Sequence, residues 1–150
     1  MFGSWSRHQF PNINKNNSKI TSPATRVYNC AAWAAKENHR RWDPTDPQYY
    51  WPHGVPRENT LDAFVQAYKT IGYKPCFDGS YEPGFQKIAI YAKIRADNEL
   101  IPKHVALQLE TAEWTSKVGD HEDIIHSSLN VFDGAAYGQA VCFLKKQTIK

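Results

Sequence analysis

Two residues have the types and the order that thiol chemistry needs. They are Cys30, in "RVYNCAAWAAKENHRRW", and His104, in "KHVALQLE". Asn29 is a good N-cap, so Cys30 is expected to open a helix of about ten residues. A cysteine in a first helical turn meets backbone N–H groups without helical partners and the positive end of the helix dipole. Both favour a thiolate, and the same N–H groups can donate to an oxyanion forming beside the sulfur. His104 falls on a candidate strand. Alternation puts His104, Ala106 and Gln108 on one face and Val105, Leu107 and Leu109 on the other. The second set is apolar and packs into a core. His104 is left on a face of small and polar residues that a helix start or a substrate can approach. An imidazole there can take the thiol proton and return it to a leaving group. A lone cysteine or histidine more often packs a core. The pair, in this order, is what suggests a dyad.

Positioning that pair needs elements. Residues 1–22 are rich in Asn, Ser and Lys with little periodicity, and are expected to form an irregular arm before a single domain over residues 23–150. After the first helix comes "WDPTDPQYYWPHGVPREN", whose four prolines and one glycine forbid regular structure. Its aromatics suggest a loop that packs down. In "NTLDAFVQAYKTIGY" the residues Leu61, Phe64, Val65, Tyr68 and Ile71 share one helical face. Asn59 or Thr60 caps it and Gly72 ends it. "YKPCF", "FQKIAIYAKI", "KHVALQLE", "EWTSKVG" and "GQAVCFLKK" carry strand signals, the third and fourth turning near Thr111 and Ala112. "HEDIIHSSL" is expected to be a short helical turn. Helices followed by about five antiparallel strands make the expected class α+β. Cys76 and Cys142 are expected to be packing thiols.

These stretches carry a resemblance. "NCAAWAA", then "KHVALQLETAEWTSKVG", then His126, is similar to the papain-like thiol hydrolases of the NlpC and CHAP type. More closely, residues 28–146 resemble a bacterial domain family of uncharacterised function. Its members share "NCxAWA", "YWPxGVPRE", "GYxPC", a strand with a His, "WTSKxG" and a late "YGQ". The resemblance implies a papain-like/NlpC-like fold with N-terminal helices on the sheet, Cys30 as nucleophile and His104 as base. A polar third residue on the next strand would orient the imidazole. Ser116 falls there, and its hydroxyl can accept from a ring N–H. A one-residue slip would present Lys117, which cannot accept. Gln108 shares the face of His104, and Asp123 and His126 follow the hairpin. Trp33, Trp51 and Trp114 are the candidate substrate-binding side chains.

Composition limits the alternatives. A chain of 150 residues with 41% hydrophobic and 22% charged residues suits one globular domain. The net charge of +3 is mild, and the basic residues are scattered, which argues against a nucleic-acid partner. The densest basic cluster, "NHRR", is expected in the last turn of the first helix. No apolar run approaches the roughly 20 residues of a membrane span, and no signal-peptide core is present. Three cysteines without CxxC or Cys/His ligand spacing argue against a disulfide framework and structural zinc. "GDHEDIIH" lacks HxxxH helix spacing, so no metal or cofactor is expected. The expected compartment is the reducing cytoplasm, and secretion without a signal peptide is compatible with the same features. The expected function is a cysteine-dependent hydrolase or acyltransferase acting on an amide bond, with a peptide, an amide or another protein as substrate. The alternatives are a non-catalytic binding module and a secreted effector using the same dyad.

Overall fold

Alternating β-branched and aromatic residues set where this chain pairs. The computed structural model describes residues 10–148. Its strands are β1 (Ser18–Ser22), β2 (Lys74–Cys76), β3 (Phe85–Ile94), β4 (Leu100–Gln108), β5 (Trp114–Lys117), β6 (Asp123–His126) and β7 (Gln139–Gln147). They form a seven-stranded sheet in the order β1-β6-β5-β4-β3-β7-β2, antiparallel at every pairing. Two short helices accompany it, α1 (Cys30–Ala34) and α2 (Leu61–Lys69), with a 3-10 turn at Leu129–Phe132.

This corrects the expected fold class. The protein is a β-rich, seven-stranded sheet, not N-terminal helices on a sheet of about five strands in the papain-like manner. Two strands lie in segments with little strand signal. β1, "SKITS", is an edge strand held by backbone pairing with β6, and only its Ile20 packs against a core. β6, "DIIH", is too short to show alternation, yet it pairs on both sides, with β1 and β5. Of the arm expected over residues 1–22, residues 1–9 lie outside the described residues and Ser18–Ser22 form β1.

The first helix is also shorter than expected. It stops because Lys36 takes a left-handed φ of 66°. The Lys36 and Glu37 N–H groups then donate back to the Trp33 and Ala32 carbonyls, which satisfies the open helix end. Glu37 next accepts bonds from Arg40 (2.7 Å) and the Trp42 indole (2.8 Å), so "NHRR" lies in the following loop rather than in a helix.

Each sheet face has its own core. Ile88, Ile90, Val105, Leu107 and Leu144 pack against both helices and the aromatics of the proline-rich loop. Within that loop Trp42 stacks on Tyr68 of α2, with centroids 5.7 Å apart. The Tyr68 hydroxyl donates to the Ala31 carbonyl at 2.7 Å and ties the two helices together. Thr60 caps α2 through the Ala63 N–H. The opposite face carries Ala89, Tyr91, Ala106, Trp114 and Ile124 under Phe10, Val131 and Phe132. Among the described residues no helix is long and apolar enough to cross a membrane.

Candidate functional site

Two departures from regular pairing shape the site. The first is centred on Tyr91 of β3. On one side the register passes from Tyr91↔His104 to Ala92↔Pro102, which leaves Lys103 as an extra residue in β4. On the other side it passes from Ile90↔Cys142 to Tyr91↔Ala140, which leaves Val141 extra in β7. Such bulges bend a strand and re-aim its side chains. The second departure is a parting of strands. β4 and β5 pair only at Leu107↔Thr115 and Gln108↔Trp114, while β5 stays paired with β6 as far as Lys117. Helix α1 packs against both β4 and β5 where they separate.

The start of α1 brings Cys30 to that gap. Asn29 fixes it there. Its side-chain oxygen accepts the Ala32 N–H at 3.2 Å and the Trp42 N–H at 3.1 Å, and its amide donates to the Trp42 carbonyl at 2.7 Å. Burial pushes the Cys30 thiol above its ordinary pKa. Backbone N–H groups of Val105 and Ala31 oppose that shift, as do the charges of Arg41 and Lys117.

His104 approaches from the other side of the sheet. Val105 faces the helices, whereas His104 shares its face with Ala106 and its cross-strand partner Tyr91. That face is aromatic rather than open. The imidazole stacks on Tyr137 at 4.1 Å and 5°, with Tyr91 at 5.3 Å and Phe132 at 5.8 Å. It is 1% exposed, and neither ring nitrogen has a hydrogen-bond partner among the described residues. Burial, reinforced by His126, drives its pKa well below the usual histidine value. The ring is therefore neutral at neutral pH and a weaker base than a free imidazole, since a general base works best with a pKa near the operating pH. No hydrogen bond joins Cys30 to His104. Both line one pocket of about 250 Å³, together with Asn29, Trp42, Phe64 and Lys103.

The other expected site residues lie elsewhere. Ser116 Oγ bonds His126 Nε2 at 2.8 Å, and His126 Nδ1 reaches the Ser128 carbonyl at 2.9 Å. Gln108 donates to the Gly79 carbonyl at 2.9 Å. It sits about 13 Å along the strand from His104, so it cannot orient that ring. The Trp33 indole donates to Thr115 Oγ1 at 3.0 Å, and that of Trp51 to the Pro56 carbonyl at 2.9 Å. Trp114 is buried in the opposite core. None of these tryptophans lines the pocket, and each packs the scaffold around it. The wall instead uses Trp42 of the proline-rich loop and Phe64 of α2, both expected as packing aromatics, and Lys103, which was not expected at the site. The adjacency of Trp42 to the helix segment, and of Lys103 to His104, was the signal available.

The buried histidines give a pH prediction. Burial pushes His126 down to about 4, opposed by its bond to the Ser128 carbonyl. In the unfolded chain both rings return to about 6.5. As pH falls below that value, the unfolded chain takes up protons that the folded chain refuses, so stability falls with it. For His126 alone the expected loss is about 2 kcal/mol by about pH 5, with most carboxylates still ionised. His104 adds to it. Urea unfolding at pH 7.5 and about pH 5 measures this, and equal stability at the two would contradict it.

Residues 19–145 match the family model described as a domain of unknown function, DUF7689. No curated protein and no solved structure matches the chain.

Proposed function

We propose that this chain, which belongs to the DUF7689 family, is a cysteine-dependent hydrolase or acyltransferase acting on an amide bond. One observation carries the reading: Cys30 at a helix start and His104, whose ring nitrogens have no partner among the described residues, both border the same pocket, although the ring itself packs against Tyr137 on the other sheet face. The order of "NCAAWAA" and "KHVALQLE" supports it from the sequence side.

The chemistry follows from the resting states. Thiol and imidazole are both neutral, so attack is coupled to proton transfer and does not start from a preformed ion pair. Cys30 Sγ gives its proton to His104 and bonds the carbonyl carbon, and the carbonyl electron pair moves onto oxygen. N–H groups at the helix start and at Val105 are the available donors to that oxyanion. The C–N bond then breaks, and the amine leaves with the proton from His104. Water, deprotonated by His104, releases the acyl group from sulfur; another nucleophile in its place makes the step a transfer. Stacking on Tyr137 positions the imidazole where a hydrogen-bonded third residue would otherwise do so. A peptide bond, a glutamine side chain and a cell-wall cross-link all contain the required amide.

The test is iodoacetamide labelling of Cys30 across pH, read by peptide mass spectrometry in the wild type and in His104→Gln, which fills similar space. The expected result is at least a tenfold loss of Cys30 labelling rate near pH 7 in the variant, below the roughly hundredfold that general-base assistance typically supplies. Equal rates would leave a non-catalytic binding module.

A further inference from the structure

We propose that the Cys30 pocket adjoins a second, apolar pocket, and that the two together seat an extended peptide whose apolar side chain enters the second. The inference rests on the thiol reading of Cys30 and names the substrate class of that site. The second pocket holds about 310 Å³ and is lined by Ala92, Ile94, Leu100 and Val141, with Lys93 and Gln139 beside them. It lies on the same side of the sheet as Cys30. Ile88 and Ile90 of β3 pack into the helix-side core, while Ala89 and Tyr91 pack into the other. The extra residues of the double bulge are in β4 and β7, so β3 itself keeps its alternation and Ala92 and Ile94 fall on the helix side. The helices and the proline-rich loop cover Ile88 and Ile90. Ile94 lies past that cover and is 71% exposed, and Val141 is 38% exposed.

The two pockets meet at a strand pair. Ala92 of the apolar pocket is the register partner of Pro102, which lines the Cys30 pocket. Such partners are about 5 Å apart. The double bulge serves both pockets: Val141, its extra residue in β7, lines the apolar one, and Lys103, its extra residue in β4, lines the other. Bulges beside active sites re-aim side chains in this way. Val105, at the thiol, is three residues from Pro102, about 10 Å along the strand. An extended peptide covers that distance in about three residues. The occupant follows from these positions. The proposed reaction needs an amide at Cys30, and an apolar side chain two or three residues away on the same chain makes the ligand a peptide. Charge narrows it further. Lys93 and Lys103 border the two pockets and form no ion pair among the described residues. Asp43, the carboxylate lining the Cys30 pocket, already accepts the Thr45 N–H and hydroxyl, both at 2.8 Å. A peptide carrying a carboxylate is therefore favoured over a basic one.

Iodoacetyl peptides test this, with Cys30 labelling rates read by peptide mass spectrometry to separate Cys76 and Cys142, and circular dichroism checking the fold of each variant. The probes are iodoacetyl-triglycine and its three forms with leucine at the first, second or third glycine, all ending in a free carboxylate. One leucine position is expected to label Cys30 about tenfold faster than triglycine, the lower yield of burying that side chain. In Ile94→Asp the ratio is expected to fall to near one. In Phe77→Asp, at a 95% exposed position after β2, it is expected to hold. Amidating the C-terminus of the best probe is expected to slow it about threefold, and equal rates for acid and amide overturn the acidic preference. A ratio near one at every leucine position, or a ratio that survives Ile94→Asp, overturns the proposal. N-hexyl iodoacetamide gaining as much as the best peptide would make the occupant an aliphatic chain. A dimer in sedimentation that Ile94→Asp dissociates would make it a second copy of this chain. Either result overturns the peptide assignment. His104→Gln keeps the two readings apart. If it slows every probe while no leucine position gains, the dyad stands and the peptide cleft falls. If the leucine gain holds while His104→Gln slows no probe, the cleft stands and the dyad falls.

Discussion

Gly138→Ala will destabilise the domain by about 4 kcal/mol, from backbone strain and overpacking together. Gly138 has a φ of +74°, in the left-handed region that disfavours a Cβ. The larger part comes from contact. An added Cβ would lie 2.1 Å from the Ala92 carbonyl oxygen and 2.8 Å from its carbon. Those are backbone atoms of β3 and cannot swing away as a side chain would. Gly138 also exchanges backbone hydrogen bonds with Gly134, at 2.8 and 3.1 Å, just before β7 enters the sheet. The strain would therefore reach the double bulge around Tyr91 that sets the aim of His104. Gly54→Ala is the control. Its φ is +83°, but nothing lies within 4 Å of the new Cβ, so it should cost only about 1 kcal/mol. Equal urea midpoints for the two variants would refute the argument.

Trp42→Ala is expected to cost about 4 kcal/mol. The side chain is 2% exposed and touches aromatics from three sides: Tyr68 at 5.7 Å, Tyr50 at 5.1 Å and Trp51 at 6.4 Å. Truncation removes that packing and the indole bond to Glu37, although Arg40 still holds the carboxylate. The backbone of Trp42 remains tied to Asn29, so the helix cap survives while the pocket loses a wall. Trp42→Phe should recover more than half of the loss. Chemical denaturation of the two variants gives both numbers, and a cost below about 1 kcal/mol for Trp42→Ala would mean that the loop, not the indole, carries this core.

What could be seen in the sequence was mostly local. The cap at Asn29, the second helix and the strands beginning at Phe85 and Gln139 each follow from a pattern within a few residues. So does the alternation that separates His104 from Val105. β1 was not visible, because it is held by pairing with β6 across more than a hundred residues; β6, expected as a helical turn, is four residues long and is made a strand by its neighbours β5 and β1. The partners of Ser116 and Gln108 were hidden because they lie on other segments, His126 on β6 and Gly79 in the loop after β2. A strand face shows which residues point together, but not whether a hydroxyl meets His104 or His126. Lys117 shows the limit most sharply: the sequence left open which face it took, and the pairing of β5 with β6, with Ser116 bonded to His126, decides it.

The position of β7 constrains how the chain is made. It is the last strand in sequence order, yet it lies inside the sheet, between β3 and β2. While a nascent chain is still being extended, "KIAIYA" of β3 has one bare edge and β2 has no neighbour at all. An open, apolar strand edge is a template for wrong pairing with other chains. The closing step sets β7 on the free edge of β3 and gives β2 its partner. The sheet can therefore close only once the chain has been extended through Gln147.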